Sequence, residues 1–489
     1  MAVVSATVSA HADNNSPAPG QTAVPVPIVD AVDVSPYARD KRQASKPGSV
    51  ILALHAVRRL EQATVVYYSV TVDASASGPA DPGYFVGSGG AQAHYSKTLS
   101  ADGGIIDVRN RKLYRTIGDF QGCKMCGNAW WNGSPALTQP GHSVVGWFST
   151  PPVPSDVQRA DVAVGNRIFH DVPVDDGALT PTIDKDTATR QWNDGLPLGA
   201  AWPALDPNDL SGVDVASYVS PLILTTGEVS DARRERVTKE ATNIDLDSSV
   251  LFGKDSDVIK PARRAVIDWA AKELVARKAA GRVEVTGYTD NLAAALLLTA
   301  CGGSDKSDGT HTPTPTVAAT TTSGTSTTAP PSPMSSAEVA FHESVAAQQV
   351  MGKLKDAGGP VPKEVAKVSF QPPRYKVAVT LHVASVKTGV TGTVLTFWLT
   401  SSGIDHAMAV ANPEDFPSLV DTAGGVKYSV DSLSTGKDTP LVAGSEEPEI
   451  GPDGVYLMQA AYPPLPDSVK KVKISVGSAK TSPDVPVTR

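Results

Sequence analysis

The sequence predicts a mainly β protein in which two related β-sandwich modules flank a shorter α/β unit. Three observations carry that expectation. Residues 46–175 and 337–489 are dense in β-branched and aromatic runs cut by Gly, Pro and Asn clusters, the pattern of short strands at sandwich spacing. The closing parts of these two stretches repeat one another. Between them, one segment changes its apolar period from two to three and four, as a helix requires.

A chain of 489 residues is long enough for about three domains. Its 41 Gly and 39 Pro make it rich in turns, yet 41% hydrophobic residues can still build cores. The net charge is −8 and no long Lys/Arg run occurs, which excludes nucleic acid as an expected partner. No run of 18 apolar residues exists, so no transmembrane helix is expected. Residues 1–12 end in the small-residue box Ala10-His11-Ala12, which reads as the remnant of an export signal; the alternative is a plain disordered tail. Residues 13–45 are Pro-, Asn- and Ser-rich, a linker.

The first module opens with SVILALHAVRRL (49–60) and ATVVYYSVTV (63–72). Shorter strand-like runs follow at 112–117, 142–148 and 159–164. In the second module, RYKVAVTLHVASV (374–386) and GTVLTFWLTSS (392–402) mirror the first strand pair. WFSTPPVPSDVQRADVAVG (147–165) parallels AAYPPLPDSVKKVKISVG (460–477), and each module then closes on Asp-Val-Pro-Val, at 171–174 and 484–487. The chain therefore reads as two copies of one module of immunoglobulin-like kind. Residues 176–243 between them are expected to be linker and irregular structure.

In 244–300, SSVLF is a short strand, Pro261 suits the first turn of a helix, and Ala262, Val266, Trp269, Ala270 and Leu274 share one helical face. Gly281 ends that helix and RVEVTG alternates as a strand. Residues 249–291, with VLF, DSD, IKP and VEVTGYTDN, resemble the first half of the OmpA-like domain, the peptidoglycan-binding module of bacterial envelope proteins. The resemblance implies a ligand loop at Gly287, Thr289, Asp290 and Asn291, with Asp290 pairing the ammonium of a diaminopimelate side chain. Within the family an Arg on the next helix pairs with its carboxylate, bidentately where the geometry allows. That helix is absent: the arginines after Asn291 are Arg374 and Arg489. The unit is thus a truncated OmpA-like α/β unit. Read alone, Asp290 is equally a turn residue at a strand end.

LAAALLLTAC follows directly, and Leu298-Thr299-Ala300-Cys301 fits the lipobox of bacterial lipoproteins. Cys301 is the expected lipidation site, and a doubly acylated Cys anchors to a membrane. The competing reading of 292–300 is a short buried helix, too short to span a bilayer. Residues 301–336, rich in Thr, Pro, Ser and Gly, form a low-complexity tether.

Cys123 and Cys126 form a Cys-x-x-Cys, which can be half a zinc site, a redox centre or a local disulfide. No second Cys pair supplies zinc ligands, and the pair sits in a Gly-rich loop rather than at a helix start, so in an exported protein a disulfide is expected. Trp130 and Trp131 could stack on sugar rings or pack onto their own module. No catalytic motif, metal-ligand set or cofactor loop stands out; neither a metal nor a cofactor is expected. The expected function is a non-enzymatic, exported protein of the bacterial cell envelope that attaches to peptidoglycan, with a lipid anchor in the membrane if Cys301 is processed. Two alternatives stand beside it. One is a self-assembling surface or fibre protein built from repeated sandwiches; the other is a fusion of two separate envelope proteins joined near 291/292.

Overall fold

A computed structural model of the chain describes residues 26–34, 48–79, 103–117, 138–165, 167–184, 195–205, 210–246, 258–259, 261, 264–276, 335–360, 362–371, 378–401, 416–434, 438–443, 456–477 and 481–489. Two compact units are present: residues 1–245 together with 335–489, and residues 246–334. The protein is mainly β, as the sequence predicts.

In the first unit, one strand set comprises β1 (Asp30–Asp33), β2 (Val50–Arg59), β3 (Thr64–Val72), β4 (Gly104–Asp107), β5 (Lys112–Arg115), β6 (Ser143–Thr150), β7 (Arg159–Val164) and β8 (Arg167–Asp176). Its pairing order is β1–β2–β3–β6 and β5–β4–β7–β8, all antiparallel. The end of β8 also runs parallel to β2 at Val57↔Val174. Side chains from both rows meet in one core, including Leu52, Leu54, Tyr68 and Phe148 from the first and Ile105, Val162, Phe169 and Val172 from the second.

Residues 176–243, expected as linker and irregular structure, instead contribute four further strands and the start of a fifth. β9 (Thr182–Ile183) and β10 (Trp202–Pro203) form a separate parallel pair. β11 (Val219–Glu228), β12 (Arg233–Val237) and β13 (Thr242–Leu246) follow. The turn-rich and charged composition concealed β11, whose apolar VSPLIL run is short and interrupted by Pro221.

The second unit shows one helix among its described residues, α1 (Arg264–Ala276). It lies within the helix expected from the periodicity. Val266, Trp269 and Ala270 are half-buried while Arg264, Asp268 and Lys272 are exposed, the amphipathic division that the three- and four-residue spacing dictates.

Residues 335–489 return to the first unit. Here α2 (Ser336–Asp356) stands where only β structure was expected. The Ser335 hydroxyl accepts from the Glu338 backbone N–H, a side-chain cap on the first turn, and Lys353 and Lys355 sit favourably at the C-terminal end. The second strand set then comprises β14 (Ala366–Phe370), β15 (Val379–Gly389), β16 (Gly392–Ser401), β17 (Ser418–Asp421) and β18 (Val426–Tyr428). β19 (Ser432–Ser434), β20 (Asp438–Pro440) and β21 (Val442–Ala443) follow. β22 (Tyr456–Tyr462), β23 (Lys471–Ser475) and β24 (Val485–Thr488) complete it.

The pairings of the first set recur strand for strand. β14–β15–β16–β22 matches β1–β2–β3–β6, and β18–β17–β23–β24 matches β5–β4–β7–β8. β24 runs parallel to β15 at Val386↔Val487, so the last valines of the two Asp-Val-Pro-Val tetrapeptides occupy one structural position. Their aspartates do too: Asp171 pairs with Arg159 at 2.7 Å and Asp484 with Lys471 at 2.5 Å. A register break falls after Leu54 in β2 and after Val383 in β15. Tyr114 and Tyr428 face Ile105 and Leu419 at matching registers; both phenols are raised by burial and then by a nearby aspartate, Asp107 or Asp421 respectively.

Each Pro-rich turn after β6 or β22 is fixed by an arginine. Arg59 donates to the carbonyls of Pro154 and Val157 at 3.0 and 2.6 Å, and Arg489 to those of Pro466 and Val469 at 2.7 and 2.9 Å. The arginine comes from β2 in one set and from beyond β24 in the other, so the interaction is kept although its donor has changed strand. The second set has its own core, with Leu381, Phe397, Leu419, Met458 and Ile474 among its buried members. Phe397→Ala is expected to cost about 3–5 kcal/mol through lost burial and the cavity left behind, measured by chemical denaturation.

Candidate functional site

The residues that the sequence singles out, Gly287, Thr289, Asp290, Asn291, Cys301, Cys123 and Cys126, together with Trp130 and Trp131, lie outside the described residues. Among the described residues, buried polar chemistry gathers where the second strand set meets the first.

That junction starts from side-chain alternation. On β16 and β22, Leu395, Phe397, Leu399, Met458 and Ala460 point into the set's own core. The intervening Val394 and Ala461 join Ile106, Leu113, Ala163 and Ile168 of the first set in a shared cluster. Trp398 and Leu457, on the same face, reach the first set's core. Between these apolar contacts, the Gln459 side chain accepts from the Ile168 backbone N–H at 2.8 Å and donates to the Ile168 carbonyl at 3.3 Å. It satisfies both backbone groups of a strand residue, as a neighbouring strand would.

Asp161 is the centre of the polar part. It sits on β7 beside a register break in the β7–β8 pairing, and is 1% exposed. Its Oδ1 accepts from the Asp171 N–H at 2.9 Å and from the Thr391 hydroxyl at 2.6 Å. His170 Nδ1 is 2.9 Å from the same oxygen, close but not aligned as a hydrogen bond. Asp171 supplies its N–H from a left-handed conformation, φ 56, which aspartate tolerates better than most residues. Thr391 belongs to the tight turn between β15 and β16. Gly392 beside it has φ 140, and a Cβ there would stand 3.2 Å from Asp161 Oδ2. Glycine is therefore what lets this hairpin approach the carboxylate.

Asp431 lies just before β19 and is fully buried, with neither carboxylate oxygen hydrogen-bonded among the described residues. Burial, and then the charge of Asp161, push its pKa well above the usual carboxylate value. Burial and then Asp431 likewise raise Tyr462, whose hydroxyl donates to the Pro417 carbonyl at 2.6 Å. The junction therefore favours a protonated Asp431, because an unpaired charge out of water costs several kcal/mol. No family model, curated protein or solved structure matches the chain.

Two further polar groups fix the docking. His382 Nδ1 lies 2.5 Å from Glu364 Oε2 and its Nε2 lies 2.7 Å from the Thr400 hydroxyl. A carboxylate, an imidazole and a hydroxyl in line can polarise the hydroxyl. Here the ring also stacks on Trp398 at 5.1 Å and 5°, so it holds the indole that enters the other set. On the opposite side of the first set, Glu343 of α2 accepts from the Ser143 N–H at 2.8 Å and lies 3.2 Å from His142 Nδ1. Burial raises this carboxyl, opposed by the Ser143 and His142 contacts. Gly199 has φ 91, and a Cβ there would be 2.9 Å from the His342 carbonyl, so glycine lets the helix backbone close onto this loop. Among the described residues no group of three or more His, Cys, Asp and Glu side chains could hold a metal ion.

Sequence reasoning passes over Asp161 because RADVAV alternates, which puts Arg159 and Asp161 on the strand's outward side. That face is outward for one set alone and becomes interior when the second set covers it. The only signal in sequence is the mismatch with Lys473, the register equivalent of Asp161 in the second set.

The pH dependence follows with a definite sign. A carboxyl raised by folding contributes stability that is complete below its unfolded value near 3.8 and is lost as pH rises through its folded value. Asp431→Asn is expected to melt higher than the parent at pH 7.5 by several degrees. The gap should close at pH 4, as differential scanning calorimetry of both proteins at both pH values would register. A gap that does not depend on pH would contradict the assignment.

Proposed function

We propose that this protein is a non-enzymatic, exported component of the bacterial cell envelope. Two immunoglobulin-like β-sandwiches form one closed display block, and the OmpA-like segment attaches the chain to peptidoglycan through the loop Gly287, Thr289, Asp290 and Asn291. Processing at Cys301 would add a lipid anchor in the membrane. The envelope assignment draws its support from the GYTDN loop, the lipobox and the export-like start of the sequence. No described helix is long and apolar enough to cross a membrane.

The observation that carries the closed-block reading is how the repeated faces are used. The β16/β22 face of the second set covers the β4–β5–β7–β8 row of the first. For a third copy to add in the same way, the β17–β18–β23–β24 row would have to offer a matching surface. There the equivalents of Asp161, Leu113 and Ala163 are Lys473, Lys427 and Ser475. At the other end, the first set's equivalent β3/β6 side is occupied by α2 and by Leu196, Leu198 and Trp202, which are buried. Charge at one end and a helix at the other stop the head-to-tail repetition that would build a fibre. This favours display over the self-assembling alternative.

Two outcomes are expected. The full chain should be retained on purified peptidoglycan, and Asp290→Ala should lower retention at least tenfold; equal retention of the two proteins would remove the loop from the binding site. In sedimentation velocity the chain should stay monomeric into the tens of micromolar, whereas polymers growing with concentration would restore the fibre reading.

A further inference from the structure

Residues 26–246 and 335–489 each donate a piece to the other. From the first part, β11 lies along two edges at once. Val219–Pro221 pair with β5 at Val219↔Tyr114. Leu222 and Ile223 pair with β19, and Thr226–Glu228 pair with β18 at Thr226↔Tyr428. From the second part, α2 lies against β1 and β2 of the first set, burying Val339, His342, Glu343, Ala346, Val350 and Leu354. Gln349 of the helix accepts from the Val26 N–H at 3.3 Å. The exchange is reciprocal, and each strand set keeps its own core.

We propose that these two parts are a self-recognising pair, so that the part carrying α2 and the second strand set binds the part carrying the first set and β11 without a covalent link. The partner for which each surface is built is therefore the other part of this same chain. The contacts have the features of a specific protein–protein interface. An aromatic anchor, Trp398, is held by His382. An apolar centre includes Ile106, Leu222, Val394 and Leu433. Two buried polar pairs cross the boundary, Asp161 with Thr391 and Gln459 with Ile168. Edge-strand addition by β11 supplies backbone hydrogen bonds that side-chain contacts alone could not. The chain between, 247–334, raises the effective concentration of one part near the other. If maturation at Cys301 occurs, it would leave an exported part held on a lipid-bearing part; that consequence rests on the lipobox, the pairing does not.

The test uses the full chain with a recognition sequence for a specific protease inserted after Gly324. The protein is purified intact, cut, and passed over a gel-filtration column at about 1 µM, near the range of ordinary specific complexes. Both fragments are expected in one peak at the elution volume of the uncut protein, with a single melting transition. Fragments that elute apart overturn the proposal. Two variants of the cut protein, Thr226→Pro in β11 and Gln459→Ala at the junction, separate specific pairing from mere stickiness. Each is first checked for a native circular-dichroism spectrum before cutting. Each is expected to raise the dissociation constant at least tenfold, and an unchanged constant in both overturns the assigned interface.

Discussion

Duplicating one strand arrangement duplicates its open edges. β5 and β18 are register equivalents, each with one side taken by β4 or β17 and the other left to be satisfied. An unpaired strand edge is both a thermodynamic liability and a template for aggregation. A single strand, β11, resolves both, running antiparallel to β5 with its first residues and to β18 with its last. Once β11 is shared, the two sets cannot separate without exposing backbone groups on both. The face-to-face junction, with Leu222 of β11 in its apolar cluster, forms around that constraint.

The junction is asymmetric although the sets repeat, and the asymmetry lies in a few side chains. Asp161 accepts the hairpin of the second set, whereas its equivalent Lys473 could not. The price of this specificity is Asp431, a buried carboxyl without a hydrogen bond whose ionisation is opposed by Asp161. Buried polar groups of this kind cost stability and select one arrangement over competing ones. His55 behaves differently. Its Nδ1–H donates to the Pro27 carbonyl and its Nε2 accepts from Ser69; desolvation by burial, opposed by the Pro27 bond, lowers it to about 4 and keeps it neutral. One buried titratable group is fully bonded and the other is not: ionisation of Asp431 weakens the boundary as pH rises, whereas protonation of His55 weakens the first set as pH falls from 6.5 toward about 4.

Much of the local structure was legible because it depends on local pattern. β7 coincides with the RADVAV run, β2, β3, β15 and β16 start within five residues of their expected starts, and α1 carries the predicted apolar face. The repeat was legible from the Pro-rich turns and the Asp-Val-Pro-Val pairs, since both mark positions where the backbone, rather than a ligand, dictates the residue. The matching of β4 and β5 with β17 and β18 was not, because only Asp107/Asp421 and Tyr114/Tyr428 persist. α2 carried local signals, the Ser335–Glu338 cap and buried residues at three- and four-residue spacing, but fell inside a stretch assigned wholly to the β module; β11 was missed for a different reason. The structure of β11 is decided by the surfaces it covers, and tertiary contact overrides local preference. The polar junction was hidden likewise: Asp161, Gln459 and Thr391 are ordinary outward-facing residues until the other set is placed over them.

The central claim is that both strand sets belong to one cooperative unit. Residue-resolved native-state hydrogen exchange tests it directly, with the amide of Tyr67 reporting on β3 and that of Phe397 on β16, the core strand of each set. A single unit predicts the same opening free energy for both amides, equal to that of global unfolding. Values differing by more than about 2 kcal/mol, well beyond the usual scatter within one cooperative unit, would mean that the sets open independently and would contradict the account.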